Sequence, residues 1–182
     1  SDHKPGDYIY DNGMTSDGGL RGINDDGTIE WAEPKPQPES GKTVVGVVFW
    51  TPSETTTDGR NTPASLTDDK IMSAEHPDCA RGLAVAVKKV TYNGSEKMVW
   101  QPYESYEHVK EWQAGDGFTH ANKDKFVSIA SNIEAGDNIN RIYGYQNTVV
   151  LRAYNAYCNA NDRSDYIVQP VAALNEFVNG NA

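Results

Sequence analysis

Seven consecutive residues, Val44-Val45-Gly46-Val47-Val48-Phe49-Trp50, are β-branched, aromatic or glycine. A run of that composition without polar interruption reads as a strand covered on both faces, so the chain must be built around a sheet. A second apolar run, Gly82 to Tyr92, alternates near its end and reads as another central strand. Asn93-Gly94 follows it as a hairpin signal, returning through Lys97 to Trp100. Near the start, Asp7 to Tyr10 is strand-like and Asp11-Asn12-Gly13 is a turn. Asn24-Asp25-Asp26-Gly27 is another, leading into Thr28 to Trp31.

Helix signals gather later. Ser65 to Ala74 holds room for a short turn, and Tyr106 to Gln113 is short. Asp124 to Ser131 carries apolar residues at Phe126, Val127, Ile129 and Ala130. Asn147 to Cys158 is the strongest: Asn147 or Thr148 can cap it, and Val150, Leu151, Tyr154 and Cys158 share one face. Pro170 to Val178 opens on a proline suited to a first turn. The expected class is α+β, a mostly antiparallel sheet with helices collected in the C-terminal half. Three organisational segments are expected: an N-terminal β-hairpin unit at 1–32, a Pro-rich linker at 33–41 and a main α+β domain at 42–182. Alternating prolines at 34, 36 and 38 favour extended backbone, hence a loop or hinge.

The 182 residues suffice to bury a real core. Acidic residues number 26 against 16 basic, giving −10. Phosphate binding needs Lys and Arg clusters, and Lys88-Lys89 and Lys123 to Lys125 are too short to serve. Nucleic acid and anionic membrane surfaces are therefore not expected partners. No apolar run approaches the roughly 20 residues of a membrane span, so no membrane insertion is expected. The polar opening Ser1 to Pro5 carries no signal-peptide core. It fits either a cytoplasmic chain or one from which a targeting segment has been removed.

Catalytic motifs are missing from the sequence: no Walker loop, GxSxG, GxGxxG or HExxH. His3, His76, His108 and His120 show no metal-ligand spacing on one helix. Cys79 lies two residues from Arg81, and a nearby cation can activate a thiol, although a lone cysteine is more often structural. Cys79 and Cys158 fit no zinc pattern. In an exported protein they can form one disulfide, worth about 4 to 5 kcal/mol on chain-entropy grounds. Alternatively they are two buried free thiols. Asp11, Asp17, Asp25 and Asp26 sit in oxygen-rich turns of the kind calcium prefers, yet Asp favours turns for backbone reasons too. Neither a metal nor a cofactor is expected. Trp100, Tyr103, Tyr106 and Trp112 fall in one polar stretch. Such rings can hold a sugar or a protein partner, or else cover a sheet edge as core.

Four blocks in order carry a resemblance. Gly6-Asp7-Tyr8-Ile9-Tyr10 opens into a short Gly turn, and Gly46-Val47-Val48-Phe49 makes an apolar strand. His76-Pro77-Asp78-Cys79 precedes the strand Gly82 to Val87, and Gly144-Tyr145-Gln146-Asn147-Thr148 opens a helix. This order resembles exported surface proteins of Bacteroides-type gut bacteria, including fimbrillin-associated and tip-adhesin-like proteins. Such relatives continue into a Trp-Tyr-Leu-Pro-Ser-like segment within a C-type-lectin-like core. The sequence stops at Ala182 without it, so the resemblance implies a partial lectin-like fold in a fragment or shortened variant.

It also implies an extracellular or cell-surface location, lipoprotein-type or secreted, with the targeting segment removed. The implied activity is binding, not catalysis: adhesion or fimbrial association through loops at 51–67 and 100–113. Expected partners are a host or bacterial surface glycan or protein, or other fimbrial subunits. Two further readings stand beside it: a carbohydrate-active enzyme or glycan-binding accessory protein, and a polymerising structural subunit.

Overall fold

The computed structural model describes residues 3–51, 65, 67–79, 81–100, 105–129 and 142–179. The class is α+β, with antiparallel sheets first and most of the helix in the C-terminal half. The chain divides into two compact units, Ser1–Thr55 with Asp78–Lys89, and Thr56–Pro77 with Val90–Ala182.

The first unit holds a four-stranded antiparallel sheet. Its strands are β1 (Tyr8–Tyr10), β2 (Thr15–Ser16), β5 (Val44–Trp50) and β6 (Leu83–Ala86), in the order β2-β1-β5-β6. Two more strands, β3 (Leu20–Ile23) and β4 (Ile29–Trp31), form a separate hairpin. The turn signals fall where expected. Gly13 closes on the Tyr10 carbonyl at 2.9 Å, and Gly27 on that of Asn24 at 2.8 Å. Asn93 and Gly94 both adopt positive φ, 50° and 77°, between the bridged Tyr92 and Ser95. That is the geometry a two-residue hairpin turn requires. Residues 97–100 do not return as a strand.

The expected boundary at 33–41 does not divide the molecule. Strand β1 pairs directly with β5, with Tyr8 opposite Val47 and Ile9 opposite Gly46, so residues on either side of the prolines share one sheet. The Pro-rich segment is docked and is no hinge. The Glu39 amide donates to the Tyr10 hydroxyl at 2.7 Å, and the Lys35 ammonium lies 3.7 Å from the Trp31 ring centroid. Close backbone contact explains one glycine: a Cβ on Gly18 would lie 1.8 Å from the Gly6 carbonyl oxygen.

The run Val44–Trp50 is a strand, but only one of its faces is covered. Gly46, Val48 and Trp50 are buried, whereas Val45 and Phe49 are 42% and 55% exposed. Pairing places Val85 opposite Val47, and the Val87 amide donates to the Val45 carbonyl. Val45, Val47, Phe49, Val85 and Val87 therefore share the open face. The expectation of two covered faces rested on composition, which cannot report what lies over a strand.

The second unit contains four helices among the described residues: α1 (Lys70–Glu75), α2 (Ser105–Ala114), α3 (Gly144–Ala160) and α4 (Gln169–Val178). Its core joins Val109 and Trp112 of α2 to Val150, Leu151 and Tyr154 of α3, with Phe118 and Val168 between. Burying each aliphatic side chain of this kind contributes about 1.5–3 kcal/mol. The face expected on α3 is the one it buries, Cys158 included.

The expected helix at Asp124–Ser131 is absent over the described residues. A short 3-10 turn, Lys123–Lys125, gives way to extended backbone at Phe126. Side chains hold that extension. Gln113 Oε1 accepts from the Ile129 amide at 2.9 Å, and Gln146 Oε1 accepts from the Val127 amide at 3.1 Å. Tertiary hydrogen bonds here override a helical apolar spacing.

Helix α3 starts three residues earlier than its expected cap. Asn147 lies inside the first turn, and Tyr143 at the N-cap makes no side-chain bond. The cap comes from elsewhere: Asp69 Oδ2 accepts from the Gln146 amide at 2.7 Å. The same carboxyl caps α1, where Oδ1 accepts from Ile71 and Met72. One buried aspartate thus satisfies orphan amides of two helices.

Candidate functional site

The first sheet positions a pocket on the face opposite the exposed valines. Ile9 pairs with both Thr15 and Gly46, and Val48 pairs with Ala84, so Ile9, Thr15, Val48 and Ala84 project to one side. With Leu83 they line a cavity of about 180 Å³. His3 and Arg81 complete its polar rim. His3 Nδ1 lies 3.1 Å from Thr15 Oγ1, which fixes the imidazole against β2. Arg81 is exposed, and no described residue forms a hydrogen bond or ion pair with it. Gly82 follows with φ +156°, and a Cβ there would stand 2.6 Å from the Trp50 carbonyl oxygen. Glycine lets the chain pass that close to β5, and so brings Arg81 to the rim.

A second cluster lies in the second unit. Tyr145 donates its hydroxyl proton to Glu75 Oε2 at 2.8 Å, so His76 Nε2, 2.9 Å away, donates to the tyrosine oxygen. His120 Nδ1 accepts from the Asn122 amide, which leaves its Nε2–H to donate to Glu75 Oε1 at 3.1 Å. Every partner in this relay has a complementary role. Burial, reinforced by Glu75, pushes the Tyr145 hydroxyl up to about 12. The relay ties the end of α1 to the start of α3.

An interior relay runs parallel in logic. Arg163 can only donate, so His108 Nε2 accepts from it at 2.8 Å and Nδ1–H donates to the Tyr154 hydroxyl at 2.7 Å. Tyr154 and Cys158 lie on the same buried face of α3. Burial raises the titration of both the phenol and the thiol, which keeps them neutral. Cys158 is fully enclosed and has no access to a substrate.

The aromatic candidates do not form one site. Trp100 is 62% exposed. Trp112 is core, packed edge-on or tilted against Phe118, Tyr154 and Tyr157, because α2 turns that residue inward beside Val109. Tyr103 and the side chain of Tyr106 lie outside the described residues, as does most of the 51–67 loop. The disulfide is not formed: Cys79 is an exposed free thiol and Cys158 a buried one.

Nor do the calcium candidates converge. Asp17 spends its carboxylate on Lys4, Arg21 and the Gly19 amide, contacts that hold it well below the usual carboxylate range. Asp26 accepts from the amide and hydroxyl of Thr28, a turn that satisfies its own backbone. Among the described residues no three His, Cys, Asp or Glu side chains, Asp11 and Asp25 included, gather where a metal ion fits.

In the sequence Arg81 stands out only as a neighbour of Cys79, and His3 carries no signal of a role. The missing signal was pairing: only the register of β5 against β6 brings Arg81 beside the β1–β2 hairpin. Comparison with protein families, with curated proteins and with solved structures returns no match.

Proposed function

We propose that this chain is a secreted or cell-surface binding module serving adhesion or fimbrial association. One observation carries the reading. Phe49, Val85 and Val87 are each more than half exposed, and with Val45 they share one face of the sheet. A chain of charge −10 has ample polar residues for its surface, so a clustered apolar face is a candidate contact surface. The resemblance to fimbrillin-associated and tip-adhesin-like proteins supplies the adhesive context and the expected partners, a surface glycan or protein.

The test is an array of host proteins and glycans, probed with the wild-type chain and with a Phe49→Lys, Val85→Lys double variant. The expected result is binding by the wild type and its loss in the variant, with the circular dichroism of both unchanged. Equal binding by the two overturns the role of this face, and steady turnover of a glycan moves the reading to an enzyme.

A second reading, a polymerising structural subunit, is favoured by β6. It is the outermost strand of its sheet, and no described strand pairs along its other side. Such an edge can accept a strand from another subunit. Concentration-dependent polymers that disappear on Ala86→Pro, whose amide faces away from β5, select this reading over adhesion.

A further inference from the structure

We infer that the pocket on the first sheet binds a small carboxylate carrying an apolar group. The inference goes beyond the binding-module reading, since the pocket lies on the sheet face opposite Phe49, Val85 and Val87. Arg81 makes the case. In a chain with 26 acidic and 16 basic residues, acidic partners are plentiful, yet this guanidinium has none among the described residues. Its planar fork matches a carboxylate with two parallel hydrogen bonds.

The walls decide what the carboxylate is attached to. Ile9, Val48, Leu83 and Ala84 offer an apolar floor, and Thr15 with His3 supplies a single polar edge. A floor of this kind leaves the hydroxyls of a neutral sugar ring without partners, which is costly. A phosphate dianion would meet one guanidinium where its charge calls for more. A volume of about 180 Å³ is close to the ~150 Å³ of an apolar cavity that accepts benzene. The ligand body is therefore one ring or one branched aliphatic group, with the carboxylate at the rim. A free organic acid and the terminal carboxylate of a peptide with an apolar last residue share this chemistry.

The test uses the full chain and amide-resolved NMR titration with phenylacetate, phenylacetamide, inorganic phosphate and a short peptide ending in phenylalanine. Phenylacetate is expected to bind and to shift the amides of Thr15, Leu83 and Ala84. Phenylacetamide is expected to bind at least tenfold more weakly, as is phenylacetate to Arg81→Gln, while Arg81→Lys falls between. Arg81 is exposed, so its replacement leaves the fold intact. Ala84→Trp, which fills the cavity, provides an independent loss.

Tighter binding of the peptide than of phenylacetate identifies a chain terminus as the source, and the reverse identifies a free acid. Equal affinity for acid and amide overturns the inference, and so do an Arg81→Gln variant that binds as wild type, shifts that map elsewhere, or tighter phosphate binding. Positive arrays with no carboxylate binding sink this site and leave the adhesion reading standing. Carboxylate binding with empty arrays does the opposite.

Discussion

Asp69 joins two helices through one carboxyl group. It is fully buried, and it accepts from Ile71, Met72 and Gln146. Losing an N-cap costs about 0.5–2 kcal/mol, and an unsatisfied buried amide about 1–3 kcal/mol. Asp69→Ala is therefore expected to lower unfolding stability by roughly 3 kcal/mol, read from urea denaturation. Asp69→Asn keeps the α1 cap on its carbonyl oxygen but turns an NH₂ group toward the Gln146 amide, so it lies between. An alanine variant within 1 kcal/mol of wild type would show that water replaces the carboxyl, contrary to this account. The residue was not legible as a double cap. Its sequence shows a capping residue before a short helix, but its second partner lies 77 positions away.

Tyr145 gives a pH test at the same scale. Its hydroxyl is pushed up to about 12, chiefly by burial and then by the bond to Glu75. Above pH ~10 an unfolded tyrosine loses its proton while the folded one keeps it. The unfolded state then binds fewer protons, so stability falls as pH rises. The contribution is fully present below about 10 and is lost between there and about 12. Tyr145→Phe should flatten that part of the alkaline stability curve. A variant whose curve keeps the wild-type slope there would exclude Tyr145 as its source.

At the scale of elements, buried amide side chains do work usually given to strands. Asn155 donates to the Val168 carbonyl and accepts from the Val168 amide, at 3.0 and 2.8 Å. Gln169, half-buried, accepts from the Val99 amide on its side-chain oxygen while its backbone amide donates to the Val99 carbonyl. Gln113 and Gln146 treat residues 127–129 alike. Each pairing satisfies irregular backbone that has no neighbouring strand. Replacing Asn155 by Leu keeps the volume but strands both Val168 groups in the core. The expected cost is about 2–4 kcal/mol, with faster hydrogen exchange at the Val168 amide. Exchange as slow as wild type would mean that another group braces this turn. These braces explain which elements were legible. Local signals announced the turns at Gly13, Gly27 and Asn93-Gly94, and the apolar face of α3. The segment after Lys125 was misread as helix because the side chains that extend it come from α2 and α3. The candidate site was less legible still, since Arg81, His3 and Thr15 meet only through strand pairing.

For the whole molecule, charge and apolar exposure act against each other. The first unit leaves Val45, Phe49, Val85 and Val87 open on one sheet face, and its hairpin leaves Ile23 and Ile29 open as well. At pH 7 a net charge of −10 keeps copies apart through long-range repulsion. That repulsion vanishes near the isoelectric point of about 4.7 and is shortened by salt. Light scattering against pH should therefore peak near 4.7, and added salt at pH 7 should raise the baseline. A Phe49→Thr, Val85→Thr double variant separates the two causes, because it removes apolar surface without altering charge or β-branching at position 85. If the open face drives association, the variant scatters less at every pH while its maximum stays in place. If charge neutralisation alone drives it, variant and wild type superimpose, and the face loses its claim to be a contact surface.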